Sequence, residues 1–296
     1  MMERKVGFRS GFIAIIGSPN AGKSTLMNRL IGAKVAIVSN KAQTTRNKIV
    51  GIYTDEECQI VFLDTPGLHS PKNRLGELMV KSAYEATSDV DATVIVIDGK
   101  MGIKERDEGI ITGHSFTKLI AVINKTDIIE KNRIEETTAK LVSLGVQEVY
   151  PISAKTGEGT EHLLTKLKNM LPEGPMYYSE DAITDRPERF VAAEIVREKA
   201  LLNLRDELPH GVGVTIEKIE ELENITNVSA LIYCERDSHK AMIIGKRGAM
   251  LKKIGSEARV DMQMLFGTKV FLEIWVKVKR DWRNSDRVLK ELGYRE

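Results

Sequence analysis

Cysteine and long apolar runs are both scarce in this chain. Its 296 residues include two cysteines, Cys58 and Cys234, far apart and without metal-ligand spacing. That excludes a disulfide framework or a cysteine zinc site and fits a reducing compartment. No stretch of about 18 apolar residues occurs, which excludes a transmembrane segment. The apolar run Phe12 to Ile16, behind Arg4, Lys5 and Arg9, is too short for a secretory signal core and reads as a first strand. The chain is expected to be cytoplasmic. It also has little net charge, +2 from 44 Lys and Arg against 42 Asp and Glu. That balance hides an uneven distribution. From Arg236 to Arg295 there are 15 Lys and Arg against 7 Asp and Glu, which points to a polyanionic partner for that end.

What is present is enough for two domains, each with its own core. From Phe12 to about Leu171, strand-like runs at 12–16, 48–53, 59–63, 92–97, 118–123 and 148–152 alternate with helical spacing at 76–87, 131–144 and 160–170. This rhythm predicts an α/β fold, a mostly parallel six-stranded sheet with helices on both faces. The second and third runs lie close enough to form one antiparallel hairpin at its edge. Pro, Gly and turn-formers dominate 172–186, so the expected division is 1–171, a linker at 172–188, and 189–296. The last part predicts a smaller α+β domain. Its helix at 189–206 precedes strands at 213–222 and 228–235, helices at 238–244 and 249–265, a strand at 269–278 and a helix at 281–292.

The first strand runs straight into Gly17–Ser18–Pro19–Asn20–Ala21–Gly22–Lys23–Ser24, followed by Thr25 and a helical segment. This is the G-x-x-x-x-G-K-[ST] phosphate loop in its strand–loop–helix context. Small residues let backbone N–H groups turn toward phosphate oxygens, and the helix N-terminus adds its dipole. Lys23 is placed to neutralise β- and γ-phosphate charge, and Ser24 to ligate Mg²⁺. Asp64–Thr65–Pro66–Gly67 follows the third run; the carboxylate can hold Mg²⁺, and the Gly67 N–H can reach a γ-phosphate. Between them, Lys41 to Lys48 is polar and aperiodic, and Thr44 or Thr45, with Thr45 favoured, can complete the Mg²⁺ shell.

A phosphate loop does not choose its base. Asn124–Lys125–Thr126–Asp127 follows the fifth run at the end of the sheet where α/β folds bind ligands. The Asp127 carboxylate can accept from the guanine N1–H and exocyclic amine, donors that adenine lacks in that pairing. Asn124 can hold the loop, the Lys125 stem can cover the ring, and in Ser153–Ala154–Lys155 the Ala154 N–H can meet guanine O6. These four motifs, in this order over about 10–171, resemble the translation-factor-like GTPases. One departure is Leu68, followed by His69, where many Ras-like enzymes carry a water-orienting Gln. Slow unassisted hydrolysis is expected. Asn20 is similar to the Asn of related GTPases that bind K⁺ near the phosphates; a backbone-orienting role is the simpler account.

In the C-terminal third, Gly245–Lys246–Arg247–Gly248 lies between two helical stretches, with Lys252 and Lys253 on the second. A G-x-x-G turn brings backbone close to a nucleic-acid strand, and basic residues at its tip pair with phosphate. Ile243, Ile244, Leu251 and Ile254 would line a base-binding groove or the core behind it. The element order resembles the type II KH domain. With the segment 183–190 and the ending 275–283, nearly the whole chain resembles the Era family of bacterial GTPases. That resemblance implies GTP/GDP and Mg²⁺ as ligands, and GTP hydrolysis. It also implies 16S ribosomal RNA near its 3′ end and the small ribosomal subunit as partners, in subunit maturation. Peripheral inner-membrane association would then also be expected, and a monomer. Two other readings stay open: a membrane-associated regulatory GTPase, and a constitutive RNA-binding scaffold with a structural nucleotide site.

Overall fold

Six strands build the first sheet, in the order β2-β3-β1-β4-β5-β6. They are β1 (Arg9–Ile16), β2 (Ile49–Thr54), β3 (Cys58–Asp64), β4 (Ala92–Asp98), β5 (Leu119–Asn124) and β6 (Glu148–Pro151). All neighbours pair in parallel except β2 and β3, which form the expected edge hairpin. The computed structural model describes residues 7–39, 41, 44–67, 71, 73–204 and 208–294. Two compact units result, Met1–Ala36 with Thr45–Ser70 and Met79–Asp185, and Ile37–Thr44 with Pro71–Leu78 and Arg186–Glu296.

Strand alternation sends side chains to both faces of a sheet, and a parallel sheet must cover both. On one face Ile13, Ile15, Phe62, Val94 and Val122 pack with Leu26 and Met27 of α1 (Lys23–Ile31) and Leu163 and Leu167 of α5 (Thr160–Met170). On the other, Ala14, Ile16, Ile95, Ile97 and Ile123 meet Ala83 of α2 (Arg74–Glu85), Ile110 of α3 (Glu105–Gly113) and Leu141 of α4 (Lys131–Ser143). The sequence gives little sign of α3, which carries three acidic residues in its first turn and buries only Asp107, Ile110 and Ile111. Because β1 lies between β3 and β4, chain order reverses there. The ends of β1, β3, β4 and β5 therefore open on one crevice.

The stretch expected as a linker is docked on the hairpin from 177 to 184. Ile52 N–H donates to Ile183 O at 2.9 Å, Thr184 Oγ1 donates to Val50 O at 2.7 Å, and Gln59 Oε1 accepts from Tyr177 and Tyr178 N–H. The bonds to Ile52 and Val50 occupy backbone groups of edge strand β2 that would otherwise stay open to another chain.

The second unit has a three-stranded sheet, β7 (Gly213–Leu222), β8 (Ile225–Cys234) and β9 (Lys269–Val278), in that order, β7 antiparallel and β9 parallel to β8. Helices α6 (Glu188–Asn203), α7 (Asp237–Ile244) and α8 (Ala249–Phe266) cover one face, with Ala192, Val196, Ile243, Ile254, Ala258 and Met262 in the core. The final helix is shorter than the pattern 281–292 suggests. Asp281 is left-handed (φ 51°) and Ser285 extended, so regular helix starts only at α9 (Asp286–Glu291). Trp282 between them is fully buried, its indole N–H donating to Gly211 O at 3.0 Å.

Candidate functional site

The loop from Gly17 to Gly22 leaves β1 in turn conformations, with Gly17, Asn20 and Gly22 at positive φ. Gly22 is required twice over: its φ is 100°, and an added Cβ would stand 2.1 Å from Asn124 Nδ2. Lys23 is buried and spans the loop, Nζ donating to the Gly17 and Ser18 carbonyls at 3.1 Å each. Burial depresses the Lys23 pKa, while Asp64 and Asp107 oppose the shift.

Ser24, Thr45 and Asp64 converge beside it. Ser24 Oγ donates to Asp64 Oδ2 at 2.6 Å, Thr45 Oγ1 reaches the same oxygen at 3.2 Å, and the two hydroxyls are 2.9 Å apart. Asp64 is fully buried, and its other oxygen, Oδ1, has no hydrogen-bond partner among the described residues. Burial raises its pKa, opposed by Lys23, Ser24 and Thr45. A buried, half-satisfied carboxylate with two hydroxyls is an oxygen donor set that suits a hard divalent cation such as Mg²⁺. Thr44 is not part of it; its hydroxyl donates to Lys41 O at 2.6 Å. Thr65, expected among the ligand-facing residues, instead clasps β1, its hydroxyl donating to Ile15 O at 2.9 Å. Pro66 is buried, and a Cβ on Gly67 would stand 2.9 Å from Pro19 Cα, so this segment lies against the phosphate loop. Leu68 and His69 lie outside the described residues.

Asn124 joins the phosphate loop to the loop after β6. Its Nδ2 donates to Ala21 O at 2.8 Å and its Oδ1 accepts the Ala154 N–H at 2.9 Å. The Ala154 N–H, expected to face guanine O6, is therefore engaged by Asn124 here. Lys125 is left-handed and reaches Asn20 O at 2.8 Å and Asp98 Oδ2 at 2.7 Å, which holds its stem along the crevice. Asp127 is exposed, and Ser153 Oγ orients it through a 2.7 Å bond to Oδ1. Thr25, Ala154 and Lys155 line an adjoining open cavity of about 390 Å³.

Three site residues escape the motifs. Asp107 of α3 accepts from Ser18 Oγ at 2.7 Å, both side chains buried, and its second oxygen accepts the Lys104 N–H at 3.1 Å. Arg29 of α1 donates to Ala154 O at 3.3 Å and Lys155 O at 2.6 Å. Asp98 is the third, ending β4 against Lys125. Partners 27 to 126 residues apart leave no local sequence signal.

In the second unit, Gly245 to Gly248 forms the turn between α7 and α8. Gly245, Arg247 and Gly248 have positive φ, and Lys246 and Arg247 are exposed at the tip. A Cβ would collide with Met250 at Gly245 (2.7 Å), whereas at Gly248 it would meet open space, so only φ requires glycine there. Beside the turn runs a groove of about 340 Å³ whose lining includes Gly248, Leu251, Lys252, Arg259, Phe271 and Ile274. Lys253 instead pairs with Glu257 at 3.9 Å, and Ile243 and Ile254 are core. Arg259 and Phe271 are groove residues that the G-x-x-G pattern does not reach.

Family profiles match both parts: one described as a 50S ribosome-binding GTPase over residues 12–125, the other a KH domain over 207–283. GTPase Era of Ruminiclostridium cellulolyticum is 48% identical over 98% of this chain and 99% of its own length. GTPase Era of Clostridioides difficile is 49% identical with the same coverage. A crystal structure of Era in complex with MgGDPNP and nucleotides 1506–1542 of 16S ribosomal RNA superposes with a TM-score of 0.93 at 39% identity, over 98% of this chain and 100% of that one. A variant of Aquifex aeolicus Era bound to GDP and AlF4⁻ gives the same values. With such identity over nearly its full length, this chain belongs to the Era family of GTPases.

Proposed function

We propose that this chain is a GTP-binding and GTP-hydrolysing switch that binds 16S ribosomal RNA near its 3′ end and assists assembly of the small subunit. The observation that carries the nucleotide half is the convergence of Ser24, Thr45 and Asp64 beside Lys23, with Asp64 Oδ1 unpartnered. Ser24, Thr45 and Asp64 would hold Mg²⁺, whose charge would offset that of the phosphate oxygens. Backbone N–H groups from Asn20 to Thr25 bind phosphates, and Lys23 leaves its carbonyl partners to pair with the β- and γ-oxygens. The Gly67 N–H and Thr45 sense the γ-phosphate and report its loss. Asp127, held by Ser153, selects guanine, and the Lys125 stem packs over the ring.

The domains on this reading are 1–171 for the nucleotide, a connecting stretch at 172–188 and 189–296 for RNA. Lys246, Arg247 and Lys252 pair with phosphates around the Gly245–Gly248 turn. The Asn20 side chain, exposed on a left-handed turn, would help hold a K⁺ beside the phosphates. Relatives carrying GTPase Era as their name, and an Era bound to 16S ribosomal RNA, support the GTPase and ribosomal-RNA parts of this reading. The test is RNA affinity measured by fluorescence anisotropy in the presence of GDP and of a non-hydrolysable GTP analogue. A difference between the two states supports the switch. Equal affinities leave a constitutive scaffold, and binding to anionic vesicles without RNA binding leaves a membrane regulator.

A further inference from the structure

Strand β9 is an edge strand, and its side chains divide cleanly between two faces. Val270, Leu272, Ile274, Val276 and Val278 pack toward the core. Lys269, Phe271, Glu273, Trp275 and Lys277 project from the other face and are all exposed. Trp275 is 63% exposed and Phe271 53%, a high cost in open apolar area for two aromatic rings on one strand. Four residues of strand put them about 13 Å apart.

Phe271 also lines the groove beside the Gly245–Gly248 turn, so the groove and this aromatic face are continuous. A KH-type turn clamps about four nucleotides, and a longer strand leaving the groove must go somewhere. We infer that the outward face of β9, through Phe271 and Trp275, is a second base-binding surface for single-stranded RNA, taking the nucleotides that leave the G-x-x-G groove by stacking. This rests on the RNA-binding reading above and names residues beyond the turn.

Charge placement favours bases over backbone or lipid headgroups on this surface. Glu273 stands between the two rings, opposite Ser229 of β8; Glu220, opposite Asn227 on the same sheet face, is already paired with Lys218 at 3.0 Å. The Glu273 carboxylate repels phosphate between the rings but accepts hydrogen bonds from base amino groups. The cations Lys269 and Lys277 sit at either end of the row, where the RNA backbone can pass. Aromatic faces stack any base, and an open sheet carrying exposed aromatics is a recurrent single-strand platform.

The chain has two tryptophans, and Trp282 is fully buried, so fluorescence quenching by acrylamide reports mainly on Trp275. The full chain, loaded with a non-hydrolysable GTP analogue, is titrated with a four-nucleotide RNA and with one of about twelve nucleotides that begins with the same four. The longer RNA is expected to shield Trp275 from acrylamide, and the shorter one to leave it open. Trp275→Ala should weaken the longer RNA about ten-fold and the shorter one not at all, with Trp275→Phe restoring most of the loss. An unchanged affinity of Trp275→Ala for the longer RNA, with the wild type binding both, overturns this surface alone. Wild-type failure to bind either RNA overturns the KH reading and this surface together. Loss of anionic-vesicle binding in Trp275→Ala with RNA binding intact assigns the face to lipid and overturns it.

Discussion

Ser18 and Asp107 are 89 residues apart, and their side chains meet in a buried 2.7 Å hydrogen bond that fastens the phosphate loop to the N-terminus of α3. The same carboxylate accepts the Lys104 N–H, so one side chain caps a helix and braces the loop. Asp107→Ala should therefore cost about 2 kcal/mol of stability and weaken GDP binding roughly ten-fold. Asp107→Asn should recover much of both. Thermal melts and calorimetric titration read the two effects, and RNA affinity should not change in either variant.

Asn124 carries two backbone partners, Ala21 O and Ala154 N–H, between the phosphate and base loops. Asn124→Ala leaves both unsatisfied in a buried place, at a cost of about 3 kcal/mol by the usual penalty for such groups. GDP affinity should fall by about two orders of magnitude, because loop order must then be supplied by the ligand. Calorimetry at matched temperature checks it.

Gly245 and Gly248 differ in why they must be glycine. At Gly245 a Cβ strikes Met250, and both positions have positive φ. Gly245→Ala should lower affinity for single-stranded RNA at least ten-fold, Gly248→Ala less, and neither should alter GTP turnover. Anisotropy with a labelled RNA and a phosphate-release assay separate these outcomes.

Burial pushes the Cys58 thiol up to about 12, helped by Asp55, and raises Cys234 as well. Iodoacetamide should leave both unmodified in the folded protein at neutral pH and alkylate both after denaturation. The sign for stability follows from linkage. Between an ordinary thiol pKa near 9 and the folded value, only the unfolded chain ionises at Cys58, so stability falls as pH rises through that window. Denaturant melts from pH 8 to 11, compared with Cys58→Ala, isolate this part of the slope.

Much of this was readable in the residues because the chemistry is local. Gly17 to Ser24 follows a strand and starts a helix, and Asn124 to Asp127 follows another, so type and place agree. What was not legible depends on contacts between distant segments. Asp107 looks like one acid among several in Glu105–Arg106–Asp107–Glu108, and only the fold shows that it meets Ser18. Arg29 reads as a helix-surface cation until Ala154 and Lys155 are placed beside it. Thr65 sits inside a phosphate motif yet turns to Ile15, because the end of β3 needs that bond to β1. Phe271 and Trp275 alternate with apolar residues on both sides, and periodicity alone does not say which face of β9 is covered.

Titration calorimetry with GTP, GDP and ATP, each with and without Mg²⁺, tests the central claim most directly. The wild-type chain should bind GTP and GDP with Mg²⁺-enhanced affinity for GTP and show no ATP binding, and Asp127→Ala should lose about 100-fold in guanine-nucleotide affinity. Equal binding of ATP and GTP, or an Asp127→Ala variant that binds GTP as tightly as the wild type, would contradict it.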